Sequence, residues 1–324
     1  MFSSSFPKQA FKLLTFFCVI ISTSTIISCA RQSPGQGTAE TIYMEHDGYD
    51  RAYRLYTPSS YDPSQETSLV VLLHGFALDS QQTAGNPDME VLADSENFII
   101  AYPHAVGGID LDPNTTGGTI YVAGGFNAGT ECCEPGSTDN IDDVGFVRMV
   151  VDDVIDRKNI DEKRIYATGV SAGSAMSFRL AVEAGDVFAA ILGISGPYMN
   201  GIENVSVPEP VTTIAFDGLQ DTLIPYEGGT GWASAQGIGE APSREENFET
   251  FAEESQCVGS PVETYSNAAK EITCMTYQNC QGHSEVTQCI FARNNHFIST
   301  PLDTVTKELS NELTWEFLSE HAKP

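Results

Sequence analysis

A serine in a glycine-flanked turn, followed in chain order by an acid and a histidine, carries the chemistry this sequence can perform. Gly169-Val170-Ser171-Ala172-Gly173 fits the pattern G-x-S-x-G and lies between a β-like run, Arg164 to Thr168, and an apolar helical stretch, Ala172 to Glu183. That context gives the pentapeptide its meaning, because a chain with 28 glycines produces the bare pattern easily. The physical need is a sharp turn that lifts a hydroxyl off a sheet, which forces close backbone packing and small residues at 169 and 173. A serine so placed sits at a helix N-terminus, where backbone N–H groups favour negative charge.

A serine hydroxyl is a poor nucleophile at neutral pH until a base takes its proton, so a histidine must follow, with an acid to orient it. Behind a strand–turn–helix serine the chain order is Ser, Asp or Glu, then His. His283, His296 and His321 lie after Ser171. His321 is fourth from the end of the chain, on a helix expected to fray, and His283 sits at a glycine-containing turn between two β-like runs. His296 follows the run Val286 to Ala292 through Arg293-Asn294-Asn295, at the sheet edge where Ser171 emerges, and is the expected base. The acid belongs on the loop after Val211 to Phe216, where spacing leaves Asp217 and Asp221 both open. A tetrahedral oxyanion also needs two backbone donors. Ala172 N–H is one, and Phe76 N–H, in the turn His74-Gly75-Phe76, is the other. His74 itself is expected to prop that loop by hydrogen bonding.

The elements that must position these residues follow from periodicity. Thr41 to Met44 and Ala52 to Tyr56 read as an antiparallel N-terminal pair. Ser68 to Leu73, Phe98 to Tyr102, Arg164 to Thr168, Val187 to Leu192 and Val211 to Phe216 are apolar runs typical of strands buried on both faces. Helical stretches are expected at Asn140 to Ile155, Ala172 to Glu183, Glu245 to Glu254 and Thr304 to His321. Strands alternating with helices give an α/β class with a mostly parallel, doubly wound sheet. Gly107 to Ser137, dense in Gly, Pro, Asn and Thr, reads as a long surface loop that shapes the site. Asp142-Asp143 and Asp152-Asp153 suggest glycosidase carboxylates, but in so acidic a chain they read as a solvated helix surface, the first pair favourably placed at a helix N-terminus.

Lys8 and Lys12 precede the apolar run Leu13 to Ile21, the layout of a secretory leader. Ile26-Ile27-Ser28-Cys29 resembles a bacterial lipobox, so residues 1–28 are read as a lipoprotein signal peptide and Cys29 as the acylated residue. By the same resemblance, Ala30 in place of Asp favours the outer membrane. Residues 29–40 then form a flexible tether, and residues 41–324 a single catalytic domain without repeats. With 16 basic against 44 acidic residues the net charge is −28, which repels nucleic acid and anionic lipid. The expected partners are an ester substrate and, through the lipid, a membrane.

Several motifs together resemble the polyhydroxybutyrate depolymerase and feruloyl esterase group of the first carbohydrate esterase family, within the α/β-hydrolase superfamily. They are Leu72-Leu73-His74-Gly75-Phe76, Phe126-Asn127-Ala128-Gly129 leading to Cys132-Cys133, Asp142-Asp143-Val144-Gly145-Phe146, the serine pentapeptide, and Asp221-Thr222-Leu223-Ile224-Pro225-Tyr226. The resemblance selects Asp221 over Asp217, because the family's acid stands five residues before that tyrosine. It implies an exported serine esterase that forms an acyl-enzyme and needs neither metal nor organic cofactor. Feruloyl or acetyl esters of polysaccharides are the expected substrates, a polyester depolymerase is the alternative enzyme, and a lipid-anchored binding protein of hydrolase fold is the competitor outside catalysis. Tyr226, Trp232 and Phe297, with Phe76, are candidates for holding the acyl group. Relatives with Gly-Gly-His and a Trp-Pro pair, or with His-Gly ahead of the acid, differ from Asn294-Asn295-His296-Phe297-Ile298 and Asp217-Gly218 here, which affects the acyl pocket rather than the catalytic roles.

Setting aside Cys18 and Cys29 leaves an even set of cysteines, as expected for disulfides in an exported protein. Pairing the runs Ile272 to Tyr277 and Glu285 to Phe291 about the turn at Gln281-Gly282 sets Cys274 opposite Cys289. Cys257 is left for Cys280, a pairing the resemblance also favours. Cys132 and Cys133 remain for a vicinal bridge.

Overall fold

The apolar runs become strands because a parallel strand with helices over both faces exposes no side chain to water. In the computed structural model, which describes residues 35–76, 87–106, 124–129, 132–199, 209–231, 240–267, 271–296 and 304–324, ten strands form one sheet. They are β1 (Thr38–His46), β2 (Tyr49–Thr57), β3 (Thr67–Leu73), β4 (Phe98–Pro103), β5 (Ile160–Val170), β6 (Ala190–Ile194), β7 (Thr212–Gly218), β8 (Val262–Ser266), β9 (Ile272–Tyr277) and β10 (Val286–Phe291). Their spatial order is β1-β2-β4-β3-β5-β6-β7-β10-β9-β8. From β4 to β10 all neighbours are parallel, and antiparallel strands extend the sheet at both sides.

Alternation along each central strand feeds two cores. Leu69, Val71 and Leu73 face a layer containing α2 (Asp143–Arg157), α3 (Ala172–Glu183) and α4 (Arg244–Glu254), through residues such as Val147, Leu180 and Phe251. Val70 and Leu72 face the other layer, containing α1 (Pro87–Glu96) and α5 (Thr304–Ser319), through Met89, Ala93, Leu313 and Leu318. The fold is therefore a doubly wound α/β sandwich, and among the described residues no helix is long and apolar enough to cross a membrane.

Several local expectations need correction. β1 begins at Thr38, so the end of the stretch read as a tether belongs to a strand. Just before it the chain is docked: Gly37 N–H donates to the Tyr56 hydroxyl at 2.8 Å, and Gln36 N–H to Asp94. The apolar run from Val187 begins in a turn, with Val187 N–H bonded to Ala184 O, and the strand itself is Ala190–Ile194, set by pairing of Ala190 with Tyr166. The end of the presumed surface loop is core: Phe126, Asn127, Ala128, Cys132 and Cys133 are buried. Asp143, read as a solvated surface residue, is fully buried against Arg51, whereas Asp142 caps α2 by accepting from Gly145 N–H. His321 lies past the end of α5 on chain held to β5, the Tyr166 hydroxyl donating to its carbonyl at 2.7 Å.

Among the described residues three disulfides are present: Cys132–Cys133, Cys257–Cys280 and Cys274–Cys289. The last joins residues directly opposed in the β9–β10 register. Cys29 lies outside the described residues.

Candidate active site

β5 ends at Val170 and α3 starts at Ala172, so the whole reversal from strand to helix falls on Ser171. Its φ of 59° and ψ of −119° are strained for a side chain with a Cβ, the signature of a turn held in place by its surroundings. Ser171 N–H is anchored to Ile194 O at 2.8 Å, on the next strand. A Cβ on Gly169 would run into the backbone of Gly173, and one on Gly173 into the carbonyls of Leu73 and His74. The glycines thus press the serine turn against the end of β3, where the Phe76 amide follows. Ser171 is the N-cap of α3 yet makes no side-chain capping bond, so its hydroxyl is not spent on the helix.

β5, β6, β7 and β10 are adjacent and parallel, and the loops after β7 and β10 leave the sheet on the same edge as Ser171. These two loops are stitched together: Leu219 N–H donates to Phe291 O and Gln220 N–H to Asn294 O. Gly218 sits where a Cβ would collide with the carbonyls of Asn294 and Asn295, so the Asp217-Gly218 and Asn294-Asn295 pairs are matched to one another.

At the end of this double loop His296 Nδ1 lies 2.7 Å from Asp221 Oδ2, both side chains buried. The other oxygen, Asp221 Oδ1, accepts from Leu223 N–H at 2.8 Å and Ile224 N–H at 2.9 Å. A carboxylate can only accept, so this geometry puts the proton of a neutral imidazole on Nδ1 and the lone pair on Nε2, the form a general base requires. Asp217 is engaged elsewhere. It ends β7 in a buried ion pair with Arg244 Nε at 3.0 Å and accepts from Gln288 Nε2. Burial pushes the Asp217 carboxyl above the usual range, with Arg244 opposing the shift.

His283 precedes β10 and is exposed on the opposite edge of the sheet from Ser171. His74 is buried beneath the candidate oxyanion loop, its Nδ1 2.9 Å from Gly75 O and its Nε2 accepting from Ala105 N–H at 3.0 Å. Burial, aided by Arg51, lowers its pKa to about 4, so it is a neutral prop with both ring nitrogens occupied. Of the residues expected to hold an acyl group, Tyr226 is buried with a hydroxyl that has no partner among the described residues, while Trp232 and Phe297 lie outside them. Sequence reading missed Arg51, whose partner Asp143 is 92 positions away, a separation that no local spacing rule reports.

Residues 51–206 match the family described as Esterase PHB depolymerase. Feruloyl esterase D of Neurospora crassa is 24% identical over 316 residues, covering 95% of this chain and 97% of the relative. A bifunctional acetylxylan esterase/xylanase of Neocallimastix patriciarum is 26% identical over 185 residues, covering 57% of this chain, which spans 23% of that relative's length. The solved acetyl xylan esterase from Aspergillus awamori superposes with a TM-score of 0.58 at 13% identity, over 87% of this chain and 99% of that one, a likeness of fold.

Proposed function

We propose that this chain is a serine esterase of the α/β-hydrolase type, similar to feruloyl and acetylxylan esterases, in which Ser171, His296 and Asp221 hydrolyse carboxylic esters through an acyl-enzyme. The observation that carries this reading is the 2.7 Å bond between His296 Nδ1 and Asp221 Oδ2, on the sheet edge where Ser171 is held at positive φ. His296 Nε2 takes the Ser171 proton as Oγ attacks the ester carbonyl; the imidazolium then protonates the leaving alcohol. Water then gives a proton to His296 Nε2 as its oxygen attacks the acyl carbon, and the imidazolium returns that proton to Ser171 Oγ as the acid leaves. The amides of Ala172 and Phe76 stabilise the oxyanion in both steps.

The substrates are the feruloyl or acetyl esters of polysaccharides, a reading supported by the names of the homologues. Tyr226, together with Trp232 and Phe297 outside the described residues, is the proposed contact for the acyl group. A polyester depolymerase is the second reading, favoured by the family description over residues 51–206. Hydrolysis of methyl ferulate, a short acetyl ester and solid polyhydroxybutyrate, measured side by side, separates them: release of ferulate or acetate well above depolymerisation is expected, and turnover of the solid polyester alone would sink the first reading. Failure of a fluorophosphonate to label Ser171 would instead revive a non-catalytic binding protein.

The leader and Cys29 support export and lipid anchoring, with the outer membrane as destination. Labelled fatty acid should be incorporated by the full chain expressed in bacteria and not by Cys29→Ser; equal labelling of both would end the anchoring proposal.

A further inference from the structure

Behind the candidate oxyanion turn lies a buried junction that the hydrolytic chemistry does not use. Asp143, the first residue of α2, has no exposed surface, and both its oxygens are committed. Oδ1 accepts from Arg51 Nη2 at 2.6 Å, and Oδ2 from Asn127 N–H at 2.7 Å. The same Arg51 nitrogen donates to His104 O at 3.0 Å, and the guanidinium lies over the Phe146 ring, 3.7 Å from its centroid. Asn127 ties the junction outward: its side-chain amide donates to Ile141 O, and its carbonyl accepts from Arg179 Nη1 on α3, the helix that begins beside Ser171.

From this junction two routes lead to Phe76. Through His104 the chain passes to Ala105, whose amide holds His74 Nε2, and His74 Nδ1 meets Gly75 O, one residue before Phe76. Through Asn127 the chain passes to Phe126, whose ring stands 4.7 Å from that of His74 and whose carbonyl accepts from Cys133 N–H. Gly125 then fills the space between Cys133 and Phe76: a Cβ there would stand 2.5 Å from Cys133 Cβ and 3.0 Å from Phe76 Cδ2. The segments carrying His74, His104 and Asn127 are thus linked to one carboxylate, through the Arg51 side chain on β2 and the Asn127 amide.

A buried ion pair is a poor source of stability, since well-packed apolar residues of similar volume often do as well or better. What it supplies is fixed geometry, because removing either partner strands the other. Resting on the reading of Phe76 N–H as an oxyanion donor, we infer that Asp143 is a positioning residue for the reaction: with Arg51 and Asn127 it clamps the Cys132–Cys133 loop and the His74 turn so that the Phe76 amide points at the oxyanion. Displacing a catalytic donor by about 1 Å costs up to about 100-fold in rate without changing ground-state binding.

The test is Asp143→Asn, which keeps the size of the side chain and breaks the ion pair, assayed beside Gly125→Ala, which pushes on Phe76 and leaves the charges intact. In each, kcat should fall by about 10- to 100-fold with KM within about twofold. Affinity for a boronic acid that forms a tetrahedral adduct with Ser171 should weaken by a similar factor. Unchanged kcat and boronate affinity per folded molecule in Asp143→Asn would reduce Asp143 to a structural residue and overturn the inference, and unchanged values in Gly125→Ala would remove the link from the Cys133 loop to Phe76. If Asp143→Asn does not fold, Arg51→Lys, which keeps the charge but loses the guanidinium that joins Asp143 to His104 O, decides in its place. Should the unmodified enzyme itself fail to bind the boronic acid, it is the assignment of Ser171 and its oxyanion site that fails.

Discussion

Ser171→Ala and His296→Ala are each expected to lower ester hydrolysis by about 10³-fold or more while the melting temperature stays close to that of the unmodified protein. Ser171 makes no capping bond through its hydroxyl, so removing the oxygen costs α3 nothing. His296 lies beyond β10 in a loop already fastened to its neighbour by backbone bonds from Leu219 and Gln220, so the loop does not depend on the imidazole. The double variant should be little worse than either single one, because the two groups act in one proton transfer and the remaining rate comes from oxyanion donors and substrate binding. Fluorophosphonate labelling should vanish in Ser171→Ala. His283→Ala, at the opposite edge of the sheet, serves as the control. Loss of activity in that variant, with His296→Ala active, would remove the proposed base.

The parts of this molecule legible from sequence are those where one physical demand acts on a short stretch. A strand buried on both faces is apolar along its buried length, so β3, β4, β7 and the second half of β5 announce themselves. The serine turn requires close backbone approach on both sides, so Gly169 and Gly173 mark it. Where two demands produce the same composition, the reading slips: Phe188 is as apolar as a strand residue but packs in the core before β6 begins. α1 was missed because acidic residues dominate Pro87–Glu96, with Met89 and Ala93 as its contribution to the core. β8 is an edge strand with no fully buried residue, so its sequence carries no burial pattern to detect. Buried acids are the hardest case. In a chain with 44 acidic residues, Asp143 looks like surface, and Asp217 like a second candidate for the acid, until the fold brings Arg51 and Arg244 onto them.

Asp217, near the end of β7, and Asp221, in the loop after it, give the sharpest test of the site, since exchanging each for asparagine should damage a different property. Asp221→Asn keeps an oxygen for the Leu223 and Ile224 amides, so the turn survives. At the position facing His296 Nδ1 it places an NH₂ group, a donor where an acceptor stood 2.7 Å away. The imidazole then keeps its proton on Nε2, the nitrogen that must be free to accept one from Ser171, and the developing imidazolium loses its counter-charge. Turnover should fall by about 10³- to 10⁴-fold with little change in stability. Asp217→Asn leaves His296 untouched and instead strips the charge from a pair whose side chains are each only 3% exposed, stranding Arg244 inside the protein. Breaking a buried pair in this way costs about 3–5 kcal/mol, and this variant should unfold at lower urea concentration while each folded molecule turns over within a few-fold of the normal rate. Measuring kcat and urea unfolding for both variants separates the roles. Comparable small losses of kcat would mean that another carboxylate orients the base, and a stable but inactive Asp217→Asn would transfer the assignment to Asp217.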